Sequence, residues 1–380
     1  MTTPPSLTSD LCRSIAQGIT ANDGWIGFDA FMNQALYTPG QGYYAHGSAK
    51  FGTLPYTVQE GTRVAGSDFV TAPEMTPLFG WTLAQQVVQA LQVTGTQEVW
   101  EFGAGSGALA LQVLQALTAQ GVRLARYTIV DISGSLRERQ RATLAGFADQ
   151  VRWVDALPEA LSGVVLGNEV LDAMPVKLLA RVKGIWQERG VALGGEAADG
   201  PPGFVWQDRP TELRPPCEVA GAHDYLTEIH AQGESFVRTL ADRLTAGAVF
   251  LIDYGFPEAE YYHPQRHMGT VMCHKAHQSD TDPLTDVGQK DITAHVNFTG
   301  VALAGNDAGL GVLGYCSQAR FLMNCGLLTQ MEAADLPTRV MAQKLIMEHE
   351  MGEFFKVIGF YKGEPWQALG FAHGDKTHTL

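Results

Sequence analysis

The sequence has few of the features that mark membrane proteins and disulfide-stabilised proteins. Its 380 residues include five scattered cysteines with no C-x-x-C pair, which argues against a disulfide framework and against a cysteine-rich zinc site. It has no apolar run of about 18 residues, so no membrane-spanning helix is expected. The N-terminus lacks the basic and apolar stretches of a secretory signal. These absences predict a cytoplasmic globular protein.

Positive charge is also scarce. Lysine and arginine total 26 against 40 aspartate and glutamate residues, which gives a formal net charge of −14 at pH 7. A general binder of nucleic acid or of an anionic membrane needs the opposite sign, so neither partner is expected. Hydrophobic residues make up 45 % of the chain and charged residues 17 %. This composition can bury a large core and excludes disorder for most of the chain.

The pattern of strands and helices predicts an α/β fold with a parallel sheet. From Glu98 onward, short apolar strands alternate with amphipathic helices, as in βαβ units. Before that point, a helix is expected from Thr76, with Thr76 as its N-cap and Pro77 as its first residue. The strands expected along the chain are Glu98–Phe102, Tyr127–Val130, Val151–Val154, Val164–Leu166, Val176–Val182, Ala248–Ile252 and Phe354–Phe360.

The length predicts one elaborated domain rather than two independent ones. Residues 1–95 are expected to form a helical and loop extension that acts as a lid, 96–361 the core, and 362–380 a tail. Two segments are expected as insertions, 194–218 and 256–350, the second beginning with a long loop to residue 290.

A glycine-rich turn between the first core strand and its helix carries the clearest chemical signal. In Glu101-Phe102-Gly103-Ala104-Gly105-Ser106-Gly107, the glycines allow a tight turn, a close approach to a ligand, and packing of helix on strand. The N–H groups that begin the helix would face the same ligand. Asp131, at the end of the next strand, is placed to accept hydrogen bonds from ribose hydroxyls.

Two classes of nucleoside cofactor fit this turn. Gly103, Gly105 and Ala108 satisfy the G-x-G-x-x-A pattern of dinucleotide enzymes. Glu101 followed by the three glycines matches the (D/E)-x-G-x-G-x-G pattern of methyltransferases. Glu101 favours the second class, because its carboxylate suits the ammonium group of a methionine moiety and would repel a pyrophosphate. S-adenosylmethionine is therefore the predicted cofactor, and an NAD-dependent oxidoreductase is the alternative.

A second polar group follows the fourth core strand. Asn168, Glu169 and Asp172 lie in G-N-E-V-L-D-A-M-P-V, and ligands of open α/β sheets bind outside the carboxyl ends of the strands. Two carboxylates beside an amide suit a guanidinium, whose planar fork pairs with carboxylates. The alternative is that Glu169 caps the following helix and Asp172 is solvated.

Seven motifs occur in an order that resembles the MidA-type methyltransferase family. They are G-Y-Y, G-S-D-F-V-T-A-P-E-M, E-F-G-A-G-S-G, N-E-V-L-D-A-M-P-V, L-I-D-Y-G, D-I-T-A-H-V-N-F and M-G-E-F-F-K-V. The resemblance spans roughly residues 10–361, and the family includes a mitochondrial complex I assembly factor that is a protein arginine methyltransferase. It implies a class I, seven-stranded, Rossmann-like fold and methylation of an arginine on a respiratory complex I subunit. A non-catalytic assembly factor on this fold stays open, as does the oligomeric state.

These patterns assign candidate roles to individual residues. Glu169 is expected to orient the acceptor, Asp172 to help or to take the proton, and Asn168 to bridge cofactor and substrate. Aromatic faces hold cations, which makes Tyr43 and Tyr44 candidates for the acceptor channel. The predicted cofactor-binding residues are Glu101, Gly103, Ala104, Gly105, Gly107, Asp131, Ile132, Asp155, Asn168, Thr71, Pro73 and Glu74. The predicted substrate-binding residues are Tyr43, Tyr44, Asp68, Asp253, Tyr254 and His295.

A histidine-rich stretch could suggest a metal site. It contains His263, His267, Cys273, His274 and His277. No second cysteine pair accompanies these residues, and proline and glycine interrupt the stretch. No metal is therefore predicted, and the stretch is expected to be a loop near the mouth of the active site.

Overall fold

A computed structural model describes residues 7–45, 56–59, 62–65, 71–131, 133–194 and 203–380. Contacts divide the chain into two compact units. Unit 1 comprises Met1–Ser48, Asp172–Gly233 and Glu258–His295, and unit 2 comprises Ala49–Leu171, Glu234–Pro257 and Val296–Leu380. The predicted division at residues 95 and 361 stays a prediction.

The described residues form helices and strands throughout both units. The α-helices are α1 (Leu7–Ala21), α2 (Phe28–Tyr37), α3 (Ala72–Met75), α4 (Leu78–Thr94), α5 (Ala108–Ala119), α6 (Gly134–Thr143), α7 (Ala231–Arg243), α8 (Glu258–Tyr261), α9 (Phe298–Asp307), α10 (Gln318–Asn324), α11 (Leu327–Ala333) and α12 (Leu336–Lys344). The strands are β1 (Trp25–Gly27), β2 (Tyr56–Gln59), β3 (Thr62–Ala65), β4 (Glu98–Phe102), β5 (Arg126–Val130), β6 (Val151–Val154), β7 (Leu161–Asn168), β8 (Lys177–Val182), β9 (Ile185–Leu193), β10 (Phe204–Pro210), β11 (Tyr225–Ile229), β12 (Leu244–Phe256), β13 (Met272–Lys275), β14 (Gln278–Asp280), β15 (Asp291–Thr293), β16 (Val296–Asn297), β17 (Gly311–Ser317) and β18 (Phe355–Lys362).

Unit 2 is built on a mixed sheet. Its strand order is β17-β18-β12-β7-β4-β5-β6, and β16 adds to β12. The strands from β12 to β6 run parallel to one another, whereas β18 is antiparallel to both of its neighbours. The predicted α/β class with a parallel sheet is therefore confirmed. β4, β5 and β7 end at the same edge, which is where ligands of such sheets bind.

The parallel sheet is buried on both faces, as the continuous apolar runs in its strands require. Val164, Val165 and Leu166 on β7 are at most 1 % exposed. On one face, α4 and α5 contribute apolar residues such as Phe79 and Val113 to a continuous core. This packing holds the carboxyl ends of the strands in fixed register.

Val176–Val182 was expected to be a strand of the parallel sheet, and the assignment to that sheet is wrong. β8 lies in unit 1, in an antiparallel sheet of order β1-β9-β8-β11 with β10 beside β9. The reason is the short connection, residues 169–176, that follows β7. A parallel return needs about a dozen residues or more, usually with a helix.

Four further segments differ from expectation. The predicted loop 256–290 contains α8 and two strands that pair with β15 in a three-stranded antiparallel sheet. The segment 194–218 includes β10, and residues 195–202 lie outside the described residues. The sequence analysis did not predict β17, because the glycines within it interrupt the residue pattern that usually indicates a strand. The helix expected from Thr76 begins at Leu78, with Pro77 as N-cap.

Membrane insertion was not expected from the sequence. Across the described ranges, every helix is too short or too polar to span a bilayer.

Two glycines allow β7 to pair closely with β12 on one side and with β4 on the other. Gly163 and Gly247 are cross-strand partners, with φ of +129° and +138°. A Cβ at Gly247 would lie 1.8 Å from the carbonyl oxygen of Gly163, and a Cβ at Gly163 would lie 2.2 Å from that of Glu98. Larger residues at these positions would therefore push the strands apart.

We expect Gly247→Ala to lower the free energy of unfolding by about 2–4 kcal/mol, because the methyl group collides with backbone and φ is unfavourable for alanine. Gly146→Ala is the matched control, since a Cβ there meets nothing within 4 Å. It should change the value by less than about 1 kcal/mol. Urea unfolding measures both variants, and equal losses would contradict this account of the strand pair.

Candidate active site

The glycine-rich turn joins β4 to α5 in a conformation that favours glycine. Gly103, Gly105 and Gly107 have φ of +63°, +52° and +86°, the left-handed region where other residues are strained. A Cβ at Gly103 would lie 2.9 Å from Cγ2 of Val170. Ala104 is 6 % exposed within the turn. The backbone can thus come close to a ligand at the edge of the sheet.

Glu101 lies on β4 just before this turn and is 1 % exposed. The hydroxyl of Tyr127 donates a 2.6 Å hydrogen bond to its Oε2. Burial raises the pKa of Glu101 to about 7, opposed by the Tyr127 hydrogen bond and supported by the charge of Asp131. A carboxyl group with this pKa gains or loses its proton near neutral pH, and a neighbouring ammonium would favour its ionised form.

Asp131 follows β5, and both of its carboxylate oxygens are held. The backbone N–H of Ser133 donates to Oδ1 at 2.8 Å, and the Gln140 amide donates to Oδ2 at 2.8 Å. Ile132 lies outside the described residues. Asp155, after β6, is largely exposed and forms an ion pair with Arg137. Asp131 therefore has a fixed orientation, and Asp155 lies at the surface.

The structure brings Pro73 and Glu74 to the glycine-rich turn. The hydroxyl of Ser106 donates to the Glu74 carboxylate, and the Gln112 amide donates to the carbonyl of Pro73 at 2.7 Å. Thr71 is the N-cap of α3, the short helix that carries both residues. Asp68 lies outside the described residues. α3, which belongs to the extension expected to act as a lid, is thus attached to the turn through Ser106 and to α5 through Gln112.

Asn168 and Glu169 lie where β7 ends. Nδ2 of Asn168 donates to Oε1 of Glu169 at 3.0 Å, and the buried Oδ1 of Asn168 has no hydrogen-bond partner among the described residues. Glu169 has a φ of +54°, and its N–H donates to the carbonyl of Ile252 at 2.9 Å. A non-glycine residue in this conformation costs about 1–3 kcal/mol, and such strained residues are often found at functional sites.

Asp253 holds the chain that follows Glu169. It is 1 % exposed, and its Oδ2 accepts hydrogen bonds from the N–H groups of Val170 and Leu171 at 3.1 and 2.8 Å. Its Oδ1 accepts from the N–H of Tyr254 at 3.0 Å. The ring of Tyr254 packs edge-on against Phe355. The contacts of Asp253 fix the loop, and its predicted role in substrate binding stays a prediction.

The other candidate residues belong to unit 1. Tyr43 is 1 % exposed and packs edge-on against Tyr44. The hydroxyl of Tyr44 donates to Asp291 at 2.8 Å, and burial together with this charge raises the pKa of Tyr44. Tyr43 therefore lies in the core of unit 1.

Asp172 and His295 also form hydrogen bonds within unit 1. The carbonyl of Asp172 accepts from the N–H of Ala294 at 2.9 Å, and the N–H of His295 donates to the hydroxyl oxygen of Thr270 at 3.1 Å.

The histidine-rich stretch does not resemble a metal site. No group of three or more His, Cys, Asp or Glu side chains suitable for a metal ion occurs in the described part of the chain. Cys273 is buried on β13, and burial raises the pKa of its thiol to about 12, which opposes the thiolate that a metal would need.

Comparisons with known proteins identify the family. A family model described as an S-adenosyl-L-methionine-dependent methyltransferase matches residues 82–316. The chain belongs to this family. A crystal structure from Burkholderia thailandensis, a COG1565 superfamily member bound to S-adenosyl-homocysteine, is 47 % identical, with a TM-score of 0.91 over 100 % of this chain and 99 % of that one. A native structure from the same organism is 46 % identical, with a TM-score of 0.88.

Curated relatives are more distant. The protein arginine methyltransferase NDUFAF7 of Danio rerio is 25 % identical over 357 residues, which cover 86 % of this chain and 79 % of that protein. The Homo sapiens protein of the same name is 26 % identical over 340 residues, covering 78 % and 69 %. The predicted resemblance to MidA-type methyltransferases is confirmed.

S-adenosylmethionine is the cofactor of this methyltransferase, as predicted, and the nicotinamide alternative is set aside. The residues at the sheet edge fit it. The turn accepts a ligand close to its backbone, Asp131 presents a carboxylate of fixed orientation, and Asn168 carries a buried acceptor atom with no partner among the described residues.

Several supporting residues were missed by the sequence analysis. Tyr127, Gln112 and Gln140 contact Glu101, Pro73 and Asp131, respectively. Tyr127 and Gln112 are separated from their partners by other secondary structure, whereas Gln140 lies only nine residues after Asp131. Glutamine on a helix usually indicates a solvated face. A single sequence contains no pattern that would single them out.

We expect binding of S-adenosylhomocysteine to release about one proton near pH 6, and almost none near pH 8.5. In the ligand-free protein at pH 6 Glu101 is mainly protonated, because its pKa is about 7. The ammonium of the ligand should favour the ionised form and expel the proton. Calorimetry in two buffers of different ionisation enthalpy measures the release.

Glu101→Gln should abolish this proton release, whereas Glu364→Gln, at an exposed site, should leave it unchanged. A release that persists in Glu101→Gln would show that Glu101 does not face the ammonium.

Proposed function

We propose that this methyltransferase modifies an arginine side chain of a protein substrate. The Asn168–Glu169 turn carries this proposal, because it presents a carboxylate in a strained, fixed conformation at the carboxyl edge of the sheet. The names of the curated relatives support the same acceptor, at 24–27 % identity. A subunit of respiratory complex I is the proposed partner, by analogy with the complex I assembly factor of the resembled family.

The chemistry assigns different roles to the two carboxylates. S-adenosylmethionine, when bound, supplies a methyl group on a sulfonium. The acceptor arginine is protonated at neutral pH, so a guanidinium nitrogen must be oriented and must lose a proton. We assign orientation to Glu169, whose carboxylate can accept N–H bonds from the planar guanidinium. Asp172, three residues further along the chain, is the candidate that helps or takes the proton.

The environment of Glu169 suits an orienting group. The amide of Asn168 fixes one carboxylate oxygen, and Asp253 and Ile252 fix the backbone on both sides of the strained residue. A group held in this way loses little side-chain entropy when a substrate binds, and positioning of this kind lowers activation barriers.

The sheet of unit 2 supports a further proposal about the fold. We propose that its seven strands from β17 to β6 correspond to the seven-stranded core of class I methyltransferases and that β16 is an addition to this core.

We expect Glu169→Gln to reduce methyl transfer at least ~100-fold while S-adenosylhomocysteine still binds with near wild-type affinity. The amide is isosteric with the carboxylate but does not pair with a cationic guanidinium. Mass spectrometry of methylarginine peptides in source cells that lack the gene, complemented with each variant, measures the effect. Glu364→Gln is the exposed control and should restore the peptides fully.

Full restoration by Glu169→Gln would remove Glu169 from the mechanism. Loss of methylation at another amino acid in the deleted strain would contradict the arginine acceptor. If no methylation changes in the deleted strain, a non-catalytic assembly factor becomes the better explanation.

A further inference from the structure

Gln140 on α6 connects the glycine-rich turn to Asp131, although nothing in its sequence context marks it. It is 0 % exposed, which is unusual for glutamine. Its amide nitrogen donates to Asp131 Oδ2 at 2.8 Å and to the carbonyl of Gly105 at 3.1 Å. Its Oε1 accepts from the indole N–H of Trp153 at 2.9 Å. The side chain thus uses both donor hydrogens and one acceptor position.

These bonds connect the two parts of the predicted cofactor site. One donated bond fixes the acidic residue after β5, and the other fixes the glycine-rich turn after β4. The bond from Trp153 fixes which way the Gln140 amide faces, because an indole N–H can donate to the amide oxygen but not to the amide nitrogen. A flipped amide would place its oxygen against two acceptors and its nitrogen against a donor. Only one orientation of Gln140 therefore satisfies all three partners.

The same helix holds a second carbonyl of the turn. The hydroxyl of Thr143, one helical turn after Gln140, donates to the carbonyl of Ser106 at 2.8 Å. A trans peptide places C=O and N–H on opposite sides, so holding the Gly105 carbonyl toward α6 turns the Ser106 N–H away from α6. Gln140 and Thr143 therefore both orient the turn, but only Gln140 also bonds Asp131.

We propose that Gln140 is the positioning residue that aligns Asp131 with the ribose hydroxyls of the cofactor. Ser133 holds Oδ1 and Gln140 holds Oδ2, so the carboxylate plane is set before the ligand arrives. Each oxygen retains acceptor capacity for a hydroxyl. The inference rests on the placement of the ribose at Asp131 and not on the identity of the methyl acceptor.

The test compares two ligands, S-adenosylhomocysteine and its 2′-deoxy analogue, by calorimetry on the full chain. A hydrogen bond to a charged group contributes about 1.5–3 kcal/mol, so the wild-type protein should prefer the hydroxylated ligand by about 10- to 100-fold. Gln140→Met preserves the volume of the side chain but removes its hydrogen bonds. We expect this variant to bind S-adenosylhomocysteine more weakly, with a preference reduced to about threefold or less.

Thr143→Val is the matched control, because it loosens the turn without touching Asp131. It should weaken the binding of both ligands by the same factor and keep the full preference for S-adenosylhomocysteine over its 2′-deoxy analogue. Trp153→Phe removes the indole N–H that restrains Gln140, keeps an aromatic ring beneath Arg141, and should reduce the preference in part. This second variant carries the test if Gln140→Met does not fold.

Two results would overturn the inference. If Gln140→Met or Trp153→Phe weakens both ligands equally, as Thr143→Val should, Gln140 supports the fold and does not align Asp131. If Asp131→Asn keeps the wild-type preference, the ribose does not lie at Asp131. Neither result depends on methyl transfer to arginine, so a failure of the proposed acceptor would leave this test intact.

Discussion

A buried carboxylate on β12 fixes the part of the chain on which the proposed chemistry depends. Asp253 accepts the backbone N–H groups of Val170 and Leu171, and the Glu169 N–H donates to the neighbouring carbonyl of Ile252. Without these contacts, a glutamate at positive φ would relax toward an ordinary conformation. The pairing of β7 with β12 therefore supports both the fold of unit 2 and the strained residue at its edge.

The cofactor site follows the same pattern, in which buried polar side chains fix backbone and carboxylates at the sheet edge. Tyr127 supports Glu101, Gln140 supports Asp131, and Ser106 connects the turn to Glu74. Burial strengthens the Tyr127–Glu101 contact most, because its two groups are shielded from water, whereas Asp131 and Glu74 are partly exposed. The edge of the sheet is thus organised around contacts within the protein, at positions where a ligand can add further bonds.

Local patterns made the parallel strands of unit 2 and the glycine-rich turn predictable, and the roles of the acidic residues stay predictions. Glu98–Phe102 and Val151–Val154 have the predicted bounds, and all three glycines of the turn have positive φ. The sheet to which a strand belongs is a long-range property, which is why β8 was assigned to the wrong one. Tyr127 was missed for the same reason, since its partner Glu101 lies 26 residues away. Gln140 lies only nine residues from Asp131, and it was missed because a glutamine on a helix usually indicates a solvated face.

The net charge of −14 is consistent with the proposed arginine acceptor, because an acidic protein attracts a cationic side chain.

The central claim is the transfer of a methyl group to arginine. Its most direct test incubates the purified protein with methyl-labelled S-adenosylmethionine and an extract of source cells lacking the gene. Hydrolysis of the labelled protein then identifies the modified amino acid. We predict label in methylarginine, and label confined to another amino acid or to small molecules would contradict the account.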